Sequence, residues 1–535
     1  ITHSYPHCWR CKHPIIYRAT EQWFCSVDAI KDAAVKSCDA ISWHPAWGKD
    51  RMVSMITERS DWCISRQRVW GVPIPVFYCD SCGESIVTPE TISHVAELFR
   101  QHGSNVWFDR KAGDLVPPGF ACPKCGKSQF SKENDIMDVW FDSGSTWAAV
   151  AAQRENLQYP ADIYLEGGDQ YRGWFQSSML TSIACNGVAP YKQIITHGWT
   201  VDGEGKAMHK SLGNAMPPEE IIKDYGADML RLWASSADYT QDMRISPELM
   251  KQLSQAYLKI RNTARYMLGN LDGFDPDRAV TVKDMLDLDK WAAAAFNNLV
   301  RDVRAGYDAY EFHAVYRAIY NFCVVEMSNF YLDIIKDRLY CGDDAGRASA
   351  QSALYLILDG MTRMLAPILA FTSQEIWTAM PHRAGDDTEC VLFNDIPDYD
   401  PALALDEAEA ARWNKLLEVR DVVLKALEDA REQGVKKNQD AEVTLHLPEK
   451  AYAGWEAGNV LAGFDEADLA ALFIVSKVTV TKQDGEPADL DADATVSVKL
   501  SDAPKCPRCW NHDASIGTDG HHAELCARCA AVLGE

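Results

Sequence analysis

The chain has 535 residues, 47% hydrophobic and 24% charged, an ordinary soluble composition that is too long for one core and suits three to five domains. Mean hydropathy is -0.25 and no run of about 18 apolar residues occurs, which argues against a membrane span. A net charge of -24 argues against a protein that coats nucleic acid indiscriminately, although screening beyond ~8–10 Å leaves room for a local basic surface.

Of the 17 cysteines, ten form five C-x-x-C pairs. With no secretory signal at Ile1, such pairs suggest zinc knuckles in a reducing compartment, the cytosol by default, rather than disulfides. Ile1 is not Met, and the chain is expected to be a fragment of a longer protein. The first pair, Cys8/Cys11, supplies only two of four ligands. Cys79/Cys82 and Cys122/Cys125 flank a 39-residue excursion rich in Gly, Pro and polar residues. Four thiolates there leave no open position, so a structural zinc is expected.

From Asp162 the pattern predicts strand (DIYLEGGDQ), helix (RGWFQSSMLTSIACNG) and strand (IITHGWTVD), a parallel α/β unit. Ligands bind such sheets at the carboxyl ends of the strands, where Glu166, Gly168 and Asp169 fall. Asp169 is also a candidate helix N-cap. His197 is either a phosphate donor or a packed histidine, and Trp140 and Trp174 are either pocket walls or core. The segment GEGKAMHKSLGN places Lys206, Lys210 and Ser211 on a Gly-rich loop suited to a polyphosphate or to a solvated turn. It lacks Walker spacing.

After about residue 235 the chain becomes helical. Leu253, Tyr257, Ile260, Ala264, Met267 and Leu268 form one apolar face, and later segments extend a bundle to about residue 380. Residues 244–270 carry Arg244, Lys251, Lys259, Arg261 and Arg265 against Glu248, a phosphate-contacting surface or a solvated face. A charged helix at 404–433, the strands AEVTLHL and VSKVTVTK and an acidic stretch follow. The tail, with C-x2-C-x16-C-x2-C spacing, strongly suggests zinc on Cys506, Cys509, Cys526 and Cys529.

The strings WCISRQRVWGVPIP, DVWFDSGSTW, YLEGGDQYRGWFQSS, THGWTVDGEGKAMHKSLGN and AYLKIRNTARYMLGN resemble, in order, the class I aminoacyl-tRNA synthetases of the Ile/Val/Leu group, in wording nearest the isoleucyl members. The resemblance implies a multidomain fold: the second half of a Rossmann-like α/β catalytic domain with a zinc-ribbon insertion, an all-α anticodon-binding bundle, a small α+β junction and a C-terminal zinc finger. Its expected boundaries are 1–38 (remnant of an editing insertion), 39–132 (connective region with the ribbon), 133–235 (catalytic half), 236–400 (bundle), 401–500 (junction) and 501–535 (finger).

By resemblance, Ala207, Met208, His209, Lys210 and Ser211 occupy the KMSKS loop, with Ala207 and His209 departing from it. Lys210 is expected to be catalytic, contacting ATP phosphates, and whether Lys206 replaces the missing lysine stays open. Glu166, Gly167, Asp169 and Gln170 are expected at the adenylate, and Trp140 and Trp174 around the amino-acid side chain, all on one surface with Lys210. Arg508, Trp510 and Arg528 are candidate RNA contacts, the latter residues being equally candidates for packing. The implied partners are isoleucine, ATP with Mg²⁺ and tRNA(Ile), and the implied metal is about two Zn²⁺ per chain, on Cys79, Cys82, Cys122, Cys125 and the four tail cysteines. The chain is expected to be cytoplasmic and monomeric, with no membrane association. No H-x-G-H string occurs, so the isolated chain is expected to be inactive, with an exposed sheet edge. The competing description is a zinc-bearing RNA-binding module without catalysis.

Overall fold

The computed structural model describes residues 3–8, 11–208, 213–483 and 494–534. Among these, no helix is long and apolar enough to cross a membrane. The chain divides into two compact units, Ile1–Trp199 with Thr240–Asp242, and Thr200–Tyr239 with Met243–Glu535.

The first unit is built on a three-stranded parallel sheet in the order Ser42–His44, Tyr191–His197, Ala161–Gly167. Parallel strands need crossover connections, and the Trp174–Asn186 helix supplies the one between the two longer strands. The helix is buried from Phe175 through Ile183, so its serines and threonines face protein and find partners there. Thr181 donates to Gly144 O at 2.8 Å and Ser182 to Val188 O at 2.7 Å. The core beneath the sheet gathers Met52, Ile56, Phe175, Met179, Tyr191 and Ile194. On the edge strand Ala161–Gly167, Tyr164 points into this core while Ile163 and Leu165, on the opposite face, remain exposed.

A satellite of the same unit holds the antiparallel strands Phe77–Cys79, Ser85–Ile86 and Phe130–Lys132 around a small core of Phe77, Val95, Trp107 and Leu115. Between its cysteine pairs lies the helix Pro89–His102, opened by a capping box of Thr88 and Thr91. The Gly/Pro-rich excursion expected from the sequence therefore holds a helix.

The second unit is mostly helical. Long helices Pro247–Gly269, Asp287–Asp308 and Asp344–Leu365 pack with Phe312–Phe322 and Ala370–Ala379. Buried within them, Asp289 accepts from Tyr331 Oη at 2.6 Å, Ser349 Oγ at 2.5 Å and both Nη atoms of Arg338 at 2.8 and 2.7 Å. A buried charge persists when its lone pairs are satisfied in this way. The helix Glu407–Asp429 leads to a second sheet in which Ala441–Leu447 pairs in parallel with Lys477–Lys482 and antiparallel with Thr495–Leu500. The alternating burial of Ala441–Leu447 is the period-2 signature of a one-sided sheet. Thr495–Leu500 was not anticipated, and most of the acidic stretch before it lies outside the described residues.

Candidate functional site

In the first unit, the carboxyl ends of the parallel strands bring most of the anticipated residues together. Glu166 pairs in register with Thr196 and Gly167 with His197, so the exposed Glu166 carboxylate and the histidine sit at one end of the sheet. His197 Nδ1 donates to Gly198 O at 2.7 Å, which fixes its ring. The chain then turns through Gly168–Arg172. Asp169 is not the helix N-cap: Gly173 holds that position with no side-chain cap. Asp169 accepts instead from Gln170 Nε2 at 3.1 Å, while Gln170 Oε1 accepts from the Trp174 backbone N–H at 2.9 Å. Gln170 therefore caps the helix in place of Asp169.

The two tryptophans differ. Trp174 stacks on Tyr164 at 4.0 Å and 9°, an arrangement worth ~0.5–1.5 kcal/mol beyond burial, and its Nε1 donates to Ser143 O at 2.9 Å. It is a fixed wall. Trp140 is 40% exposed, and only glycine lets it approach the turn. A methyl on Gly173 would fall 2.5 Å from Gln170 Oε1 and 3.1 Å from the Trp140 ring. Trp140, Gln170 and Gly173 thus meet at one point. Sequence reasoning missed Arg51 here, whose guanidinium lies 5.5 Å from the Tyr171 ring and 5.8 Å from Trp47. Nothing in the local string KDRMV marks it.

In the second unit, the lysine loop is organised by Asp202. Its carboxylate accepts from the backbone of Glu204 at 3.0 Å and Lys206 at 2.8 Å and from Asn214 Nδ2 at 2.7 Å. The Asn214 bond first, then those amides, hold its pKa below the usual carboxylate value. Lys206 Nζ pairs with Glu204 at 2.7 Å. Ala207 bridges Val201 and Met208 packs on the helical core. His209, Lys210 and Ser211 lie outside the described residues.

Two cysteine clusters assemble, Cys79/Cys82/Cys122/Cys125 and Cys506/Cys509/Cys526/Cys529, each with its sulfurs within 4.8 Å of one another. Four sulfurs at ~2.3 Å from zinc form a tetrahedron of ~3.8 Å edge. The measured separations are 3.5 Å for Cys79–Cys125, 3.7 Å for Cys82–Cys122 and 3.8 Å for Cys509–Cys526, so the donors fit that ion. In the first cluster Gly83 and Gly126 follow each pair at φ +73 and +71, and their amides return to the carbonyls of Cys79 at 2.8 Å and Cys122 at 2.9 Å. These turns aim amides at sulfur. Burial resists ionisation of Cys79, but the backbone N–H groups of Ser81 and Cys82 overcome it and bring the thiol down to about 7. Cys506 likewise falls to about 6 against its burial, through the amides of Cys509 and Cys526. Among the described residues, Cys8 and Cys11 join no such cluster.

The finger's arginines pair with the bundle. Arg528 grips Asp337 with both Nη atoms, at 2.5 and 2.8 Å, and Arg508 Nη1 donates to Cys341 O at 2.7 Å. They tie the finger to the bundle, while the Arg528 side chain stays 47% exposed. Trp510 stays 57% exposed, with Lys437 Nζ 5.6 Å from its ring. On Pro247–Gly269, Lys251, Arg261 and Arg265 are exposed and make no salt bridge among the described residues.

Comparison with known proteins agrees with this layout. The family model for tRNA synthetases class I (I, L, M and V) matches residues 10–246, that for the anticodon-binding domain of tRNA ligase residues 289–445, and that for the zinc finger found in FPG and IleRS residues 504–532. The chain belongs to the class I tRNA synthetases. Over its whole length it is 48% identical to an isoleucine–tRNA ligase of Caldanaerobacter subterraneus subsp. tengcongensis and 50% identical to one of Moorella thermoacetica, spanning 57% and 58% of those proteins. The fold is similar to a methionyl-tRNA synthetase of Mycobacterium tuberculosis in complex with methionyl-adenylate, with TM-score 0.51, 18% identity, and coverage of 70% of this chain and 65% of that one.

Proposed function

We propose that the chain is part of a cytoplasmic, monomeric isoleucine–tRNA ligase. In the first step, an isoleucine carboxylate oxygen attacks the α-phosphorus of ATP, and pyrophosphate departs stabilised by Mg²⁺ and Lys210. In the second, the ribose hydroxyl at the end of tRNA(Ile) attacks the isoleucyl-adenylate carbonyl and AMP leaves. The observation that carries this reading is the convergence of Glu166, Gly167, Gln170, Trp140 and Trp174 at the carboxyl ends of parallel strands, where α/β sheets bind ligands. Glu166, Gly167, Asp169 and Gln170 would face the adenylate, and the two tryptophans the aliphatic side chain. An apolar pocket separates neighbouring side chains by only ~1–3 kcal/mol per methylene, so valine is the competitor to test. Rate acceleration would come from orientation and charge stabilisation rather than a covalent enzyme intermediate.

The domains would follow the boundaries expected from the sequence, and each four-cysteine cluster would hold one structural Zn²⁺. Lacking an H-x-G-H string, the chain alone is proposed to be inactive. For the isolated chain, the exposed basic face of Pro247–Gly269 favours a second description, an RNA-binding module carrying zinc. Isoleucine-dependent ATP–pyrophosphate exchange distinguishes them. Exchange should be absent from the chain alone, appear when an amino-terminal half from a close relative is added, and vanish again with Lys210→Ala. Failure of complementation, or preference for valine, would overturn the reading.

A further inference from the structure

The second unit holds a cavity of about 260 Å³ that shares no residue with the strand-end cluster, the lysine loop or the cysteine clusters. The helix Glu407–Asp429 contributes Arg412, Lys415 and Val419, which stand three and four residues apart and so share one face. Leu447, at the end of the strand Ala441–Leu447, joins Ala451 and Leu461 in an apolar lining. Leu447 is 3% exposed and Leu461 1%. Among the described residues, Arg412 and Lys415 are the only charged members of that lining.

Both cations are available to a ligand. Arg412 is half-buried and makes no ion pair among the described residues. Lys415 Nζ meets Glu418 at 3.1 Å, but that side chain is 67% exposed, and such pairs hold little in water. Glu449, two residues beyond Leu447, is already paired with Lys482. The turn that carries Leu461 is strained. Leu461, Ala462 and Gly463 follow one another at φ +54, +56 and +78, a region that the first two enter only at a cost. Neighbours impose this shape: Trp455 Nε1 donates to Phe464 O at 2.9 Å, and a methyl on Gly454 would fall 2.7 Å from Val460 Cγ2. Backbone strain held in this way gathers at ligand clamps.

We propose that this cavity binds an amphipathic monocarboxylate, with an unbranched acyl chain among Val419, Leu447, Ala451 and Leu461 and its carboxylate on Arg412 and Lys415. Removing the hydrocarbon from water drives binding, and the two cations, on one helix face, give the head its place. A volume of about 260 Å³ is room for about nine water-sized groups at ~30 Å³ each, which matches a chain of about eight carbons. A polyphosphate would leave most of its oxygens facing carbon, and an amine would meet cations at the rim. The assignment rests on this lining and not on the synthetase reading.

The test is calorimetric titration of the 535-residue chain with sodium octanoate, sodium hexanoate and octylammonium chloride. Octanoate should bind saturably, one per chain. Each buried methylene multiplies affinity about fourfold, so hexanoate should bind about tenfold more weakly or worse, and octylammonium should not bind. Arg412→Gln and Lys415→Gln, compared after circular dichroism melts confirm folding, should each raise the octanoate Kd about three- to tenfold. Ala451→Leu, which fills the cavity and leaves the cations in place, should abolish binding. Absence of saturable octanoate binding, equal binding of octylammonium, or an octanoate Kd that Arg412→Gln and Lys415→Gln leave unchanged overturns the proposal. So does octanoate binding that appears only when the five acidic residues within 484–493 are replaced by serine, because the cations would then serve the chain's own carboxylates.

Discussion

The two four-cysteine clusters share ligands and pair spacing yet are built differently. In the first, Cys79 and Cys122 are buried while Cys82 and Cys125 are exposed. Each of its knuckles closes on a glycine in the left-handed region, and the surrounding core is small and local. In the second, all four cysteines are buried, and the position corresponding to those glycines is Trp510 at φ +66. The finger shares a cluster with Cys341 of the bundle, whose thiol donates to Arg508 O at 3.4 Å while Arg508 returns a bond to Cys341 O. One cluster closes a loop by itself. The other is part of a neighbour's packing, so metal and docking support each other.

Metal removal should separate the two most strongly, because structural zinc contributes on the order of 10 kcal/mol or more to a small domain. Cys529→Ser should take zinc from about two ions per chain to about one and make residues 501–535 sensitive to protease. Cys82→Ser should cost one ion and leave the finger resistant. With a chelator, the ribbon with its two exposed sulfurs should lose zinc first, and the reverse order, followed by atomic absorption over time, would break the comparison.

A smaller effect is expected from the docking pair. Asp337→Asn removes the charge and one of the two acceptor oxygens that Arg528 grips in a partly exposed bidentate bond, for which solvent screening leaves about 1 kcal/mol. Finger proteolysis should quicken several-fold while ribbon zinc release is unchanged. Gly83→Ala should weaken the ribbon by about 1 kcal/mol through backbone strain, since nothing lies within 4 Å of the added methyl. Trp510→Gly should release strain of that order in the finger, offset in part by glycine's entropy. Zinc affinities of the two variants, moving in opposite directions, would sharpen the contrast.

The smallest effect concerns pH. Asp440 binds Lys505 at 2.6 Å and His512 at 3.3 Å, joining the junction sheet to the finger. The Lys505 bond, foremost, holds its pKa below the ordinary 3.8. A depressed folded value means that its stabilisation is complete above 3.8 and fades as pH falls through the lower folded pKa. In Asp440→Asn the finger's acid sensitivity below 3.8 should shrink, and an unchanged acid melt would remove this tie from the account.

Elements with strong local periodicity were legible: the Trp174–Asn186 helix, the bundle helices and the strand Ala441–Leu447 lie close to where their patterns place them. The helix Pro89–His102 was missed although Val95, Leu98 and Phe99 keep helical spacing and Thr88–Thr91 cap it, because the Gly and Pro residues around it dominated the reading. At the strand ends Glu166, Gly167 and Gln170 were found by motif. Gln170's capping role was not, since Asp169 is the better cap by residue type and only the three-dimensional turn puts Gln170 Oε1 on the Trp174 amide.

Chain-local chemistry was written in the order of residues: which cysteines share a knuckle, where helices run and which strand ends carry acid. Such features depend on neighbours a few positions apart. Folding alone determined that Arg508 and Arg528 bond to the bundle, and that Gln176 lies buried with one half of its amide unmet. Those outcomes turn on contacts between residues more than a hundred positions apart, where neither periodicity nor spacing carries information.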